Sequence, residues 1–381
     1  MGALDADEQL RFRRDLGLAT ADVAAGVVPS RANAALSHWN LWVTFCTTLG
    51  LDPTLQGFQD PVPFLQVFMY RYRLGTIAPS RRQVRSRTVE DAVRSIGQTF
   101  ASVGSSDPRI TSTGQIDFRI QRQLSCYTKQ DPPPNRVKPI PVPILMHTMA
   151  TAAATANLYL QAVAQMIAIA FFFLLRPGEY TGTKSESTPF TLADVQLFQG
   201  PVRLDLHTAS DTSLLAATFG SLTFTTQKNG VRGEVIGLSH SGNPHFSPTV
   251  CLARRVIKLR RHAAPPPTPI ASYFDPTSQT IKPIKPADIT ASLRISCALL
   301  GPSFGFLSSD ISARSLRASG AMALLCAQVD ANVIQLIGRW RSDEMLRYLH
   351  VQAEPVMRDF SSRMLQHGSF TLHPNADVPL L

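Results

Sequence analysis

The sequence predicts a mainly helical α+β fold with a small antiparallel sheet. Three observations lead to this class. Apolar residues recur at helical spacing over most of the chain, strand-like runs are few and short, and those runs lie close together at 202–206, 215–224 and 234–238. The chain has 381 residues, 44% of them hydrophobic and 17% charged, which is enough for a buried core and excludes general disorder.

The first part of the chain is expected to form a flexible arm followed by a helical domain. Residues 1–30 are polar and rich in alanine and glycine, with little periodicity. Over 31–130 the spacing becomes helical, for example at Trp39, Trp42 and Cys46. A helix over 88–103 would carry its apolar residues on one face.

A proline-rich segment at 131–143 predicts a stiff linker, because proline fixes φ and removes a backbone donor. A second domain is expected over 144–352, with a tail at 353–381. It would begin with a helical stretch over 144–175 and continue with the short strands, where Asn229-Gly230 marks a hairpin turn. A helix over 249–261 and a proline-rich loop at 264–269 would precede helices through residue 348.

The charge balance favours a polyanionic partner, nucleic acid first. The chain has 37 basic and 27 acidic residues, a net charge of +10 and a pI near 9.7. Much of the excess lies between residues 71 and 130. A cluster before the helix over 88–103 is either a phosphate-contacting site or a solvated basic loop, and consists of Arg81, Arg82, Arg85 and Arg87.

Several classes of protein are disfavoured. Five scattered cysteines without a CxxC pair argue against a disulfide framework and a zinc module. The N-terminus lacks the features of a secretory signal, and the longest apolar run, 166–175, is too short to span a bilayer. We therefore expect a soluble intracellular protein with no membrane partner.

Four motifs occur in order along the second domain. The first motif is Arg176-Pro-Gly-Glu179, in which an acidic residue follows an arginine by three positions. The second is Lys228 in the expected hairpin. The third motif, Arg314-Ser-Leu-Arg317, begins and ends with an arginine. The fourth is a Gly-Arg-Trp-Arg-Ser-Asp stretch at 338–343 that precedes Tyr348. Taken singly, each residue has an ordinary structural interpretation, such as a helix cap, a solvated lysine or a core tyrosine.

Together these motifs resemble the catalytic core of the tyrosine recombinase (phage integrase) superfamily, and within it the recombinases of eukaryotic mobile elements such as Cryptons and DIRS-type retroelements. The resemblance implies a helical, SAM-like core-binding domain at 31–130 and a catalytic domain at 144–352, which together form a C-shaped clamp on double-stranded DNA. It implies no metal and no cofactor. It also implies a homotetramer on synapsed DNA, to which the tail contributes either in trans or packed in cis, and a nuclear location.

The resemblance implies a role for each motif residue. Tyr348 would attack the scissile phosphate and form a 3′-phosphotyrosyl link, while Lys228 protonates the 5′ oxygen. Arginines suit the phosphorane because a planar guanidinium pairs with its oxygens. The phosphate would be held by Arg176, Arg317 and Arg314, with support from Arg339 or Trp340, and Glu179 would orient the first arginine.

Two departures from the family leave alternatives open. Arg339 stands at the family's His or Trp position before the nucleophile, with Trp340 one residue later. Arg314 stands where the family has a histidine or lysine, and arginine is a poor proton acceptor. His350 either assists or is an ordinary surface residue. The alternatives are a catalytically decayed DNA-binding remnant of the same fold, a type IB topoisomerase-like enzyme, and an unrelated helical interaction protein.

Overall fold

The computed structural model describes residues 6–27, 29–102, 104–133, 138–182, 188–225 and 233–340, together with 361, 362 and 364. The chain divides into two compact units, Met1–Pro134 and Asn135–Leu381, and the division falls within the proline-rich segment. No helix in the described ranges is long and apolar enough to cross a membrane.

The first unit is helical. Its core packs the aromatic rings of Trp42, Phe68 and Phe100 edge to face, and these side chains are almost completely buried. The helices are α1 (Ala6–Ala25), α2 (Pro29–Thr48), α3 (Val62–Leu74), α4 (Ser86–Ser102) and α5 (Phe118–Gln130).

Helix α1 lies within the segment 1–30 that was expected to form a flexible arm. Alanine, leucine and arginine are strong helix formers and recur through this segment, so local propensity favours a helix without a strong apolar stripe. Its large apolar side chains are exposed, among them Leu10, Leu16 and Val23. Helix α1 is therefore exposed to solvent along these apolar positions.

The second unit is built around one buried helix, α7, in which every residue from 162 to 171 is buried. Asn157 caps its start by accepting the backbone N–H groups of Tyr159 and Leu160, so the helical stretch expected over 144–175 is two helices. The helices are α6 (Val142–Ala153), α7 (Leu158–Phe172), α8 (Pro177–Tyr180), α9 (Asp211–Leu215), α10 (Pro248–Arg260), α11 (Pro286–Leu300), α12 (Ser315–Cys326) and α13 (Ala331–Gly338).

A four-stranded antiparallel sheet with the order β2-β1-β3-β4 packs against α10. It confirms the predicted α+β class. Its strands are β1 (Val195–Gln199), β2 (Val202–Arg203), β3 (Phe219–Phe224) and β4 (Glu234–Ser239), and β5 (Ser272–Asp275) and β6 (Thr280–Pro283) form a separate hairpin.

Three expectations about strands were wrong. The run at 215–224 is not one strand, because Ser210 caps α9 and the strand begins only at Phe219. The run at 202–206 pairs over only two residues. The β5–β6 hairpin interrupts the region expected to be helical, with its turn at Thr277 and Ser278 fixed by hydrogen bonds to Asp275.

Candidate active site

The turn after α7 supplies the first part of the site. Leu174 has a positive φ of 50°, which turns the chain sharply between α7 and α8. Arg176 then caps α8: its backbone N–H donates to Glu179 Oε2 at 2.8 Å, and its Nη1 donates to Oε1 at 2.9 Å. Glu179 is buried and Arg176 is partly exposed, so a buried carboxylate orients a guanidinium that remains accessible to solvent.

Helix α12 brings Arg317 to the same turn. A Cβ on Gly320 would lie 2.3 Å from the Phe171 carbonyl oxygen, so only glycine permits α12 to approach the end of α7 this closely. Arg317 lies one turn earlier on that face, and its Nη1 donates to the Leu174 carbonyl at 2.6 Å. Its Nη2 donates to the Gly338 carbonyl, and the residue as a whole is 2% exposed.

The end of α13 supplies the third part. Arg339 adopts the left-handed conformation with φ of 57°, and the N–H groups of Arg339 and Trp340 close the helix by donating to Leu336 and Gln335. The Trp340 ring then folds back over Gly338, where an added Cβ would lie 1.6 Å from it. Arg317 stacks on this ring with its central carbon 4.0 Å from the centroid.

Arg339 is buried like Arg317, and it also pairs with a carboxylate. Its Nη2 donates to Glu179 Oε2 at 3.2 Å, and its guanidinium lies 3.9 Å from the centroid of the Phe224 ring. Burial lowers the pKa of Arg339, while the negative charge of Glu179 opposes the shift. Its remaining acceptors are the backbone carbonyls of Phe173, Leu174 and Ile337.

The structure thus brings five predicted residues together, although they come from three separate segments of the chain. Two groups connect them: Glu179 accepts from Arg176 and Arg339, and the Leu174 carbonyl accepts from Arg317 and Arg339. Three arginines and one carboxylate leave a cationic excess in a largely dry environment. Such a site can stabilise negative charge that develops on a phosphate. We name Arg176, Glu179, Arg317, Arg339 and Trp340 the arginine cluster.

The remaining predicted residues are placed differently. Arg314 is exposed at the cap position of α12, one helical turn before Arg317. Lys228, Tyr348 and His350 lie outside the described residues. β3 and β4 pair antiparallel from Phe224 and Glu234, so the segment that carries Lys228 connects neighbouring strands.

Sequence reasoning missed three groups that shape the site. The Leu174 carbonyl gives no signal in the sequence, because any residue has this acceptor. Phe224 was assigned to a strand without a role, yet it packs against Arg339. Gly320 does have a signal: a glycine inside a helical pattern often marks a close approach of another backbone.

In the first unit, the basic cluster is exposed: its first three arginines lie in the loop before α4 and the fourth lies in the first turn of α4. Gly75, at a φ of 86°, lies so close to the Arg82 backbone that a Cβ would be 2.5 Å from its carbonyl carbon. Arg81 Nη1 donates to the Thr76 carbonyl at 3.1 Å. All four predicted arginines, Arg81, Arg82, Arg85 and Arg87, are solvent-exposed.

The solved structures to which this chain is similar include an integrase and two recombinases. The chain is similar to the Tn1549 transposon integrase in complex with transposon right-end DNA, at 14% identity and a TM-score of 0.46, over 82% of this chain and 86% of that chain. It is also similar to XerA recombinase (13%, TM-score 0.36, 88% and 100%) and to XerH site-specific recombinase bound to its difH substrate (11%, TM-score 0.39, 82% and 99%). No family model matches the sequence, and no curated protein matches it.

Proposed function

We propose that the protein is a tyrosine recombinase that breaks and rejoins DNA through a 3′-phosphotyrosyl intermediate. The observation that carries this proposal is the arginine cluster, in which Arg176 and Arg317 share one site although they lie far apart in the chain. The sequence motifs supply the other participants. In this proposal Tyr348 is the nucleophile and Lys228 the general acid toward the 5′ oxygen.

The different burial of the arginines suggests a different role for each in phosphate binding. Arg176 and Arg314 are accessible and would meet the phosphate first. Arg317 is buried, so it would contribute charge from beneath the phosphate or exchange a carbonyl bond for a phosphate oxygen. The exchange is favourable in principle, because a hydrogen bond between two charged groups is stronger than one to a neutral carbonyl.

The wider proposal concerns partners. Double-stranded DNA would be bound by the exposed arginines of the first unit as well as by the arginine cluster. A homotetramer on synapsed DNA, an origin in a eukaryotic mobile element and a nuclear location follow from the motif resemblance. We propose that residues 31–130 act as the core-binding domain and 144–352 as the catalytic domain.

A second candidate is a DNA-binding remnant that has lost catalysis. Two observations favour it: Arg314 occupies the histidine position, and both terminal nitrogens of Arg317 bind backbone carbonyls. The remnant would bind DNA with a steep dependence on salt and form no covalent adduct.

A suicide-substrate assay separates the two candidates. Purified protein is incubated with nicked duplexes that carry the ends of its own element, and covalent adducts are resolved on a denaturing gel. We compare Tyr348→Phe with Tyr70→Phe, a control at an exposed tyrosine of the first unit. An adduct lost only in Tyr348→Phe supports the recombinase, whereas salt-sensitive binding without an adduct supports the remnant. Relaxation of supercoiled DNA by a monomer would instead indicate topoisomerase-like chemistry.

A further inference from the structure

A second cationic site lies in the second unit, apart from the arginine cluster. It is a pocket of about 290 Å³ between α6, α7, α10 and the loop before α10. Its polar lining consists of Gln161, Gln165, His245, Arg254 and Lys258, and its remaining wall is made of Met149 and alanines from α6 and α7. Among the described residues, no acidic side chain lines it.

The pocket is well separated from the arginine cluster. Gln161 lies in the first turn of α7, whereas Arg176 follows the C-terminal end of that helix. At 1.5 Å per residue, the distance from Gln161 to the end of α7 is about 16 Å. The two sites therefore use opposite ends of the same buried helix.

Helix α10 concentrates positive charge beside this pocket. Asp211 pairs with Arg260 and with Arg261, in the latter case at 2.7 Å. Within the described part of the chain, no ion pair forms at the three other cations of the helix, Arg254, Arg255 and Lys258.

Arg254 and Lys258 are four residues apart, so they lie on one face of α10 at the pocket. Arg255 points into the core, where its Nε donates to the Ile270 carbonyl at 3.0 Å, and its Nη1 lies 3.4 Å from Gln165 Oε1. Burial lowers the pKa of Lys258, and repulsion from Arg261 and Arg255 adds to this effect. Both effects disfavour the charged form of Lys258 at this site.

We propose that this pocket binds a phosphate group. A phosphate offers several acceptor oxygens and negative charge, and it would satisfy Arg254, Lys258 and the nearby His245 together. The apolar wall leaves room beside the phosphate for the rest of a small ester. The phosphate comes either from a free phosphorylated molecule or from a DNA backbone, and the test distinguishes these two sources.

The test uses the full chain and Lys258→Gln, with Arg203→Gln as a matched control that removes an exposed cation from β2. Binding of inorganic phosphate, of a nucleoside monophosphate and of duplex DNA is measured by calorimetry. We expect Lys258→Gln to weaken phosphate binding by at least about tenfold, because a hydrogen bond to a charged group is lost. The control variant should bind as the wild type does.

The outcomes identify the source or overturn the proposal. Weakened binding of both small ligands with unchanged DNA affinity indicates a free phosphorylated ligand. Weakened duplex binding, with a salt slope smaller by about one, indicates a DNA phosphate. If Lys258→Gln changes neither, or if Arg203→Gln changes both equally, the pocket is not a phosphate site.

Thermal unfolding gives an independent measure. Without ligand, Lys258→Gln should unfold at the same or a higher temperature than the wild type, because it removes a repelling charge from a partly buried position. Phosphate should raise the unfolding temperature of the wild type more than that of the variant. A variant that unfolds earlier and responds equally to phosphate would show that Lys258 has only a structural role.

Discussion

Removing the charge of Glu179 should loosen the arginine cluster. The carboxylate accepts three hydrogen bonds, from the backbone and Nη1 of Arg176 and from Nη2 of Arg339. In Glu179→Gln one oxygen becomes a donating NH₂, so at least one of these donors loses its acceptor. The side chains of Arg339 and Glu179 are 2% and 5% exposed, so water cannot solvate the arginine that loses its charged partner.

The size of the effect follows from these contacts. Removing one partner of a buried ion pair costs about 3–5 kcal/mol. Arg339 keeps its three carbonyl acceptors, and Arg176 is partly solvated, so we expect a loss of about 2–4 kcal/mol in local stability.

Hydrogen exchange read by mass spectrometry measures this loss where it occurs. Amides at the start of α8 and the end of α13 should exchange about 30- to 1,000-fold faster in Glu179→Gln. Glu90→Gln is the control, since its ion pair with Arg94 is exposed and should contribute less than about 1 kcal/mol.

A double-mutant cycle tests the pairwise interpretation. Glu179→Gln combined with Arg339→Met should destabilise the protein by less than the sum of the two single changes, because the second change removes the buried unpaired cation. Additive effects, or a change under about 1 kcal/mol in Glu179→Gln alone, would refute the role that we assign to Glu179.

Three further outcomes are expected. Gly338→Ala should displace the Trp340 ring and cost about 1–3 kcal/mol, despite the better helix propensity of alanine, with a shift in tryptophan fluorescence as the readout. Asp131→Asn should destabilise the first unit by about 3 kcal/mol, because its arginine partner is buried. Burial raises the pKa of Asp131, but hydrogen bonds outweigh this and hold the pKa below its usual range. Its stabilisation is thus present above about pH 4 and lost as the pH falls through the folded pKa, so urea midpoints of variant and wild type should converge in acid. Alkylation of the native protein should modify exposed Cys126 and leave Cys251 unmodified, since burial raises the pKa of Cys251 to about 12.

The sequence was informative wherever the determinant was local. Helical spacing and the few short strand-like runs predicted the α+β class, and the order of the arginine motifs selected the residues of the arginine cluster. Local signals at β5–β6 existed too, in Tyr273, Phe274 and Ile281, but the region after the proline-rich loop at 264–269 was assigned to helices.

What the sequence could not predict depends on long-range contacts. The Leu174 carbonyl becomes a shared acceptor only after α12 and α13 pack against the turn, and Arg339 meets Phe173 across 166 residues of chain. Its left-handed backbone was equally hidden, because glycine usually occupies this position after a helix. Side-chain contacts outweigh the local preference at such a position.

The separation of the cluster's parts along the chain also sets when the site can exist during synthesis. Arg317 binds the carbonyl of a residue that precedes it by 143 positions. At about 5–20 residues per second, a ribosome needs roughly 7–30 s to make the intervening segment. Throughout that interval the turn between α7 and α8 has been synthesised, but Arg317, Arg339 and Trp340 have not. A nascent or C-terminally truncated chain that ends before Arg317 therefore lacks the assembled cationic centre.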